Sequence, residues 1–127
     1  MNLHNIMQSA LIAYLALWNW TGNWVSPIKD RPIWGLVIKH HRYAFLKTTA
    51  DYDYSERGEV IEAFNTLTFS VRDAEGYSFR SGKTDHKRRP IYGRKWRLSW
   101  KVLSKTSVAC TLPDRRIILT HIDRPRR

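Results

Sequence analysis

One cysteine in 127 residues, Cys110, leaves no partner for an internal disulfide and no second thiolate for a Cys-based zinc site or a CxxC redox pair. It lies in Ser107–Leu112, which alternates like a strand and puts the thiol on the apolar face. A nucleophilic cysteine needs a setting that stabilises its thiolate, such as a helix N-terminus, so Cys110 reads as a buried structural residue.

Acidic residues are scarce as well. The chain has 11 Asp and Glu against 22 Lys and Arg, for a formal net charge of +11. A surface this basic attracts polyanions, and nucleic acid and acidic membrane are the usual ones. The charges are also segregated. Between Arg80 and Lys105 ten Lys or Arg face a single acid, Asp85, whereas Asp51, Asp53, Glu56, Glu59 and Glu62 concentrate five of the acids within twelve positions.

Charge of either sign is missing from the first 28 residues, and Ala10–Trp18 is apolar without a break. That run is well short of the ~20 residues needed to span hydrocarbon, and no Lys or Arg precedes it as a secretory signal would require. Residues 5–20 are therefore expected to form a helix buried against a sheet. The competing reading is an interfacial or spanning anchor, with Trp18, Trp20 and Trp24 at headgroup level and Lys29 and Arg31 on the cytoplasmic side.

A phosphate-cradling loop is lacking too. The stretch GYSFRSGKTDHKRRP, residues 76–90, comes close, but five residues separate Gly76 from Gly82 where the Walker motif needs four. Lys83-Thr84 then runs into His86-Lys87-Arg88-Arg89-Pro90 and not into a helix whose N-terminus could face the anion. The segment reads as a basic connection between strands.

The apolar content of 43% and sixteen aromatic residues call for a packed domain, and the length for a single one, residues 1–122, followed by a basic tail, 123–127. Thr21-Gly22-Asn23 is a stop and turn signal after the helix. Ile33–Ile38 and Tyr43–Leu46 read as strands joined through Lys39-His40-His41-Arg42. Residues 53–65 lean towards a short helix on the spacing of Val60, Ile61, Phe64 and Leu67. From Thr66 the period is two. Leu67, Phe69 and Val71 alternate with polar residues, Asp73-Ala74-Glu75-Gly76 makes a turn, and Tyr77 and Phe79 return. Lys95–Val102, Val108–Leu112 and Arg116–Ile122 complete an antiparallel meander. The expected fold is α+β: an N-terminal buried helix packed on a mainly antiparallel sheet that can curl into a small barrel.

The strand Lys95–Val102 is the most informative element for function. Trp96, Leu98, Trp100 and Val102 make one face, and Lys95, Arg97 and Lys101 stand on the other. Alternate residues of a strand are ~6.8 Å apart, close to the phosphate spacing of an extended nucleic-acid strand. Lys87, Arg88, Arg89 and Arg94 extend this basic region, and Arg115 and Arg116 join it if the last strand pairs nearby. Trp96 and Trp100 share the core face, which leaves Tyr92 in the basic loop as the aromatic candidate for stacking on a base.

These features point to a small cytoplasmic, non-enzymatic nucleic-acid-binding protein with little sequence selectivity and no cofactor. Two alternatives stand beside it. A small nuclease or toxin would draw on His40, His41, Asp51, Asp53 and Glu59 for a metal or an acid–base pair, or on His86 and His121 for metal-free RNA cleavage. A membrane-associated or partner-binding protein would use the N-terminal apolar segment.

Overall fold

The computed structural model describes residues 18–27 and 32–122, and within them the chain is all-β. The strands are β1 (Gly22–Val25), β2 (Ile33–Lys39), β3 (Arg42–Thr48), β4 (Tyr52–Ala63), β5 (Thr66–Ser78), β6 (Thr84–Asp85), β7 (Lys95–Val102), β8 (Ser107–Thr111) and β9 (Arg116–Ile122). Apart from β6, each pairs antiparallel with the next, β5 with β7, around a ring that β1 and β9 close. Eight strands form this barrel, and the two-residue β6 is an appendage on the end of β5.

The α+β expectation is overturned, since no helix occurs among the described residues. The proposed helix at 5–20 falls largely outside them, as does the tail 123–127. Trp18–Thr21, the part that is described, has no regular structure, and Thr21-Gly22-Asn23 leads into β1 instead of ending a helix. Residues 53–65 are strand, not helix. The inward positions of β4 are Tyr54, Glu56, Gly58 and Val60, and a charge and a glycine on that face hid the period of two. Ile61 and Phe64, half of the supposed helical stripe, are 65% and 70% exposed.

The turn expected at 73–76 is absent as well. β5 runs straight through these residues, and the register against β4 shifts between Arg57 and Gly58. Opposite Gly58 the extra residue is Arg72, a β-bulge that bends the strand and sharpens its twist. The chain reverses only at Phe79–Ser81.

Apolar-in, polar-out alternation builds the barrel. Leu36, Phe45, Phe69, Leu98, Val108 and Leu119 are almost fully buried inside. Eight strands enclose an interior just wide enough for side chains to fill, and rings fill much of this one. Phe69 stacks on Trp96 at 4.3 Å, and Phe45 meets Trp96 edge-on at 5.1 Å. Burying each such ring contributes about 2–3 kcal/mol by the area rule.

At the lower end, below the β2–β3 turn, Trp18, Trp20, Trp24 and Trp100 pack together, and the Trp24 indole N–H donates to the Trp20 carbonyl at 2.9 Å. Gly22 adopts φ 124°, and a Cβ there would lie 2.4 Å from Nε2 of His121, whose ring packs on Trp24 across the closing seam. Glycine is what lets β1 and β9 meet there. Among the described residues no helix is long and apolar enough to cross a membrane. The outward positions of β7 are charged or polar and its inward ones are aromatic or aliphatic, the reverse of barrels that cross membranes with strands.

Candidate functional site

The outer face of β7 exposes Lys95, Arg97, Ser99 and Lys101 while Trp96, Leu98 and Trp100 point into the barrel. On β5, Ser70 lies opposite Lys95, Thr68 opposite Arg97 and Thr66 opposite Ser99. On the other side Thr111 pairs with Ser99 and Ala109 with Lys101, and Arg116 of β9 follows Thr111. The patch is thus a row of cations bordered by hydroxyls, and both groups donate to phosphate oxygens.

The connection between β5 and β7, residues 79–94, folds over the upper end of the barrel as a strap. Its anchors are the amide of Arg88 on the carbonyl of Ala74 at 3.0 Å, the amide of Val71 on the carbonyl of Arg94 at 2.8 Å, and the amide of Ile91 on the Tyr54 hydroxyl at 3.2 Å. The Tyr92 hydroxyl donates to Asp114 at 2.6 Å. Lys87, Arg89 and Arg94 are exposed along this strap.

The cations of the upper rim are not equivalent. Arg88 lies over the rings of Tyr52 and Tyr54 at 4.8 and 5.7 Å. Lys47 and Arg115 both lie over Trp34, and Arg115 also reaches Asp114 at 3.6 Å. These three are engaged by the fold. In contrast, the side chains of Lys87, Arg89, Arg94, Lys95, Arg97 and Lys101 pair with no carboxylate among the described residues.

Tyr92 is turned inward. Its ring packs 5.0 Å from Trp96 and is partly buried against the core, and burial and Asp114 hold its hydroxyl well above the usual range, so it is less open to a base than its place in the loop suggested. Trp96 and Trp100 are core, as their alternation suggested.

The catalytic candidates are scattered. His40 and His41 form the lower β2–β3 turn, His40 in the left-handed region at φ 57°, whereas Asp51 and Asp53 flank the upper β3–β4 turn. The seven-residue β3 separates the two groups by about 20 Å. Glu59 is bound to Arg72. His86 approaches Glu75 at the upper end, and His121 packs on Trp24 at the lower. Among the described residues no three His, Cys, Asp or Glu side chains are grouped to hold a metal ion.

Glu56 is the polar feature that sequence reasoning missed. It is 1% exposed inside the barrel, where the Tyr43 hydroxyl, the Tyr54 hydroxyl at 2.8 Å and the Trp96 indole N–H at 3.0 Å all donate to its carboxylate. Burial first, and then the Glu56 carboxylate, push both tyrosine hydroxyls far above their ordinary range. A charged residue in phase with Tyr54 and Val60 was the available signal. Three donors engage both oxygens of this buried carboxylate, so the node braces the interior and does not present a base to a substrate. Burial likewise pushes the Cys110 thiol up to about 12, which removes it as a nucleophile near neutral pH.

Geometry and charge define a filled β-barrel with a basic outer strand and strap. Comparison with protein-family models, with curated proteins and with solved structures finds no match to this chain.

Proposed function

We propose that this barrel binds nucleic acid through the phosphate backbone, with the outer face of β7 and the strap as its contact surface and little selectivity for sequence. The observation that supports the reading most is the set of six exposed cations, Lys87, Arg89, Arg94, Lys95, Arg97 and Lys101, none of them paired with a carboxylate among the described residues. Uncompensated cations in one region repel each other, and a polyanion relieves that repulsion. Thr66, Thr68, Ser70 and Thr111 border the row with hydroxyls that can donate to phosphate, and the exposed Leu103 and Ile118 nearby make acidic vesicles the necessary comparison. With Trp96 and Trp100 packed into the barrel, the outer face of β7 itself offers bases no stacking ring, in keeping with low selectivity. A cytoplasmic location belongs to the same reading.

The test is titration of the full-length protein with fluorescent single-stranded RNA and duplex DNA across a salt series, with acidic vesicles in parallel. If all six cations engage, log K falls against log salt with a slope of about −4 to −5. The triple variant Arg89→Glu, Arg97→Glu, Lys101→Glu retains the wild-type melting behaviour and loses binding. Undiminished binding by the folded variant, or binding to vesicles alone, refutes the proposal.

A further inference from the structure

The strap does more than extend the row on β7, because it forms a concave site where that row begins. Lys87, Arg88, Arg89, Pro90, Gly93 and Arg94 line a depression of about 450 Å³ that contains four cations and no carboxylate. A second depression of about 280 Å³ opens beside it between the strap and the bulged part of β5, and the two share Lys87, Arg88, Pro90 and Arg94.

Part of the wall is held before any ligand arrives. Arg88 is held by its amide on Ala74 and by its guanidinium over Tyr52 and Tyr54. The Gly93 amide bonds the Pro90 carbonyl at 3.3 Å in a tight turn. Gly93 itself is at φ 85° with open space where a Cβ would stand. Sites of this kind keep more of their binding energy, since less ordering remains to be done on association.

Resting on the backbone-binding reading above, we infer that this cleft is an end site, which takes the terminal phosphate monoester of a nucleic-acid strand whose following phosphates run down the outer face of β7.

Charge and size both favour an end. An internal phosphodiester carries one negative charge, whereas a terminal monoester carries about −1.5 to −2 at neutral pH and offers three oxygens to donors. Three cations free of the fold, Lys87, Arg89 and Arg94, line one depression and match the second better than the first, and the two arginines add planar donor forks that grip such oxygens in pairs. Continuity supplies the direction of exit. Arg94 closes the cleft and Lys95 opens β7, so a strand leaving the cleft meets Lys95, Arg97 and Lys101 in turn. From Lys95 to Lys101 is about 20 Å, room for three to four phosphates of an extended strand.

The experiment compares one short single-stranded oligonucleotide carrying a 5′-phosphate, a 3′-phosphate or neither. The unphosphorylated oligonucleotide lengthened by one nucleotide serves as the control for added charge. A phosphate at one end is expected to tighten binding by about tenfold or more, as one or more extra charge-assisted hydrogen bonds would, and the lengthened control by much less. Lys87→Glu with Arg89→Glu removes that advantage but leaves residual binding to the unphosphorylated strand. Arg97→Glu with Lys101→Glu weakens all the ligands and keeps the ratio between them. Binding of all the oligonucleotides with no advantage for a phosphorylated end overturns the end site and leaves the backbone reading standing. Binding to none of them overturns both.

Discussion

Replacing Glu56 tests whether the barrel interior is as dry and filled as its geometry implies. In Glu56→Ala the Tyr43 hydroxyl, the Tyr54 hydroxyl and the Trp96 indole N–H lose their acceptor at once. Each buried donor left unsatisfied costs about 1–3 kcal/mol, and the space vacated adds a cavity term. Some reorientation of the hydroxyls lowers the sum, so the expected loss is about 4–6 kcal/mol, a large part of the 5–15 kcal/mol typical of a domain. Glu56→Gln keeps the volume and one acceptor oxygen for Tyr43 and Trp96. Its amide then faces Tyr54, whose hydroxyl can accept but no longer has a partner for its own proton, and the expected cost is about 1–2 kcal/mol. Urea unfolding followed by tryptophan fluorescence separates the two. With about 2 kcal/mol per molar urea, Gln moves the midpoint down by about 0.5–1 M and Ala by 2 M or more. If Ala costs about as little as Gln, the donors are finding water, and the interior is wetter and looser than a packed barrel allows.

Three further outcomes follow from the same geometry. Cys110 and the hydroxyls of Tyr43 and Tyr54 hold their protons in the fold above the pH at which the unfolded chain releases them, near 9 and 10. Their contribution is therefore complete below about pH 9 and is lost at about 1.4 kcal/mol per pH unit per group above it, so alkaline titration by near-UV circular dichroism should show cooperative unfolding coincident with tyrosinate absorbance. A folded protein whose tyrosines all ionise near pH 10 would contradict this. Gly58→Ala puts a Cβ 1.9 Å from the Ser70 carbonyl oxygen at the bulge, and a loss of about 3 kcal/mol in thermal melts is expected as β4 and β5 are forced apart. Gly76→Ala puts a Cβ 2.6 Å from Nη1 and 2.7 Å from Cδ of Arg88, so the side chain must leave the tyrosine rings; a loss of about 1–2 kcal/mol in thermal melts is expected, while calorimetry shows a weaker preference for a phosphorylated strand end.

The parts of the fold that could be read in advance are those where inward residues are large and apolar. Trp96, Leu98 and Trp100 against Lys95, Arg97 and Ser99 leave no ambiguity, and β9 falls on Arg116–Ile122 as its alternation indicates. Reading fails where a distant element fills the interior. The upper half of β5 turns Ala74 and Gly76 inward, residues small enough to suggest a turn. Their size follows from the Arg88 side chain, which passes across Gly76 from the strap, and no window of local sequence contains that contact. Glu56 is obscure for the same reason, since its donors come from β3, β4 and β7. In the site, composition located the basic segment but could not distinguish neighbours of one type. Arg88 lies against tyrosine rings while Arg89 is exposed, and Tyr92 faces inward because Trp96 and Asp114 are there to receive it.

Closure of the barrel also changes what the lysines and arginines of β7 require as an explanation. On an open sheet such a row has an ordinary role, because charged side chains on an edge strand keep its unpaired backbone from recruiting another chain. Here β7 bonds to β5 through Lys95–Ser99 and to β8 through Ser99–Val102, so among the described residues it lies within the ring and is not an edge strand, although its Lys95–Leu98 half has no strand partner on the β8 side. Solubility does not require the row either, since cations spread over the surface would serve that end with less mutual repulsion. Nor can the interior take over the role of a binding site, because rings and the hydrogen-bonded Glu56 carboxylate occupy the volume that would hold a ligand. On the proposed reading, the unpaired cations gathered on one strand and the strap above it serve an anion outside the barrel, long enough to follow β7.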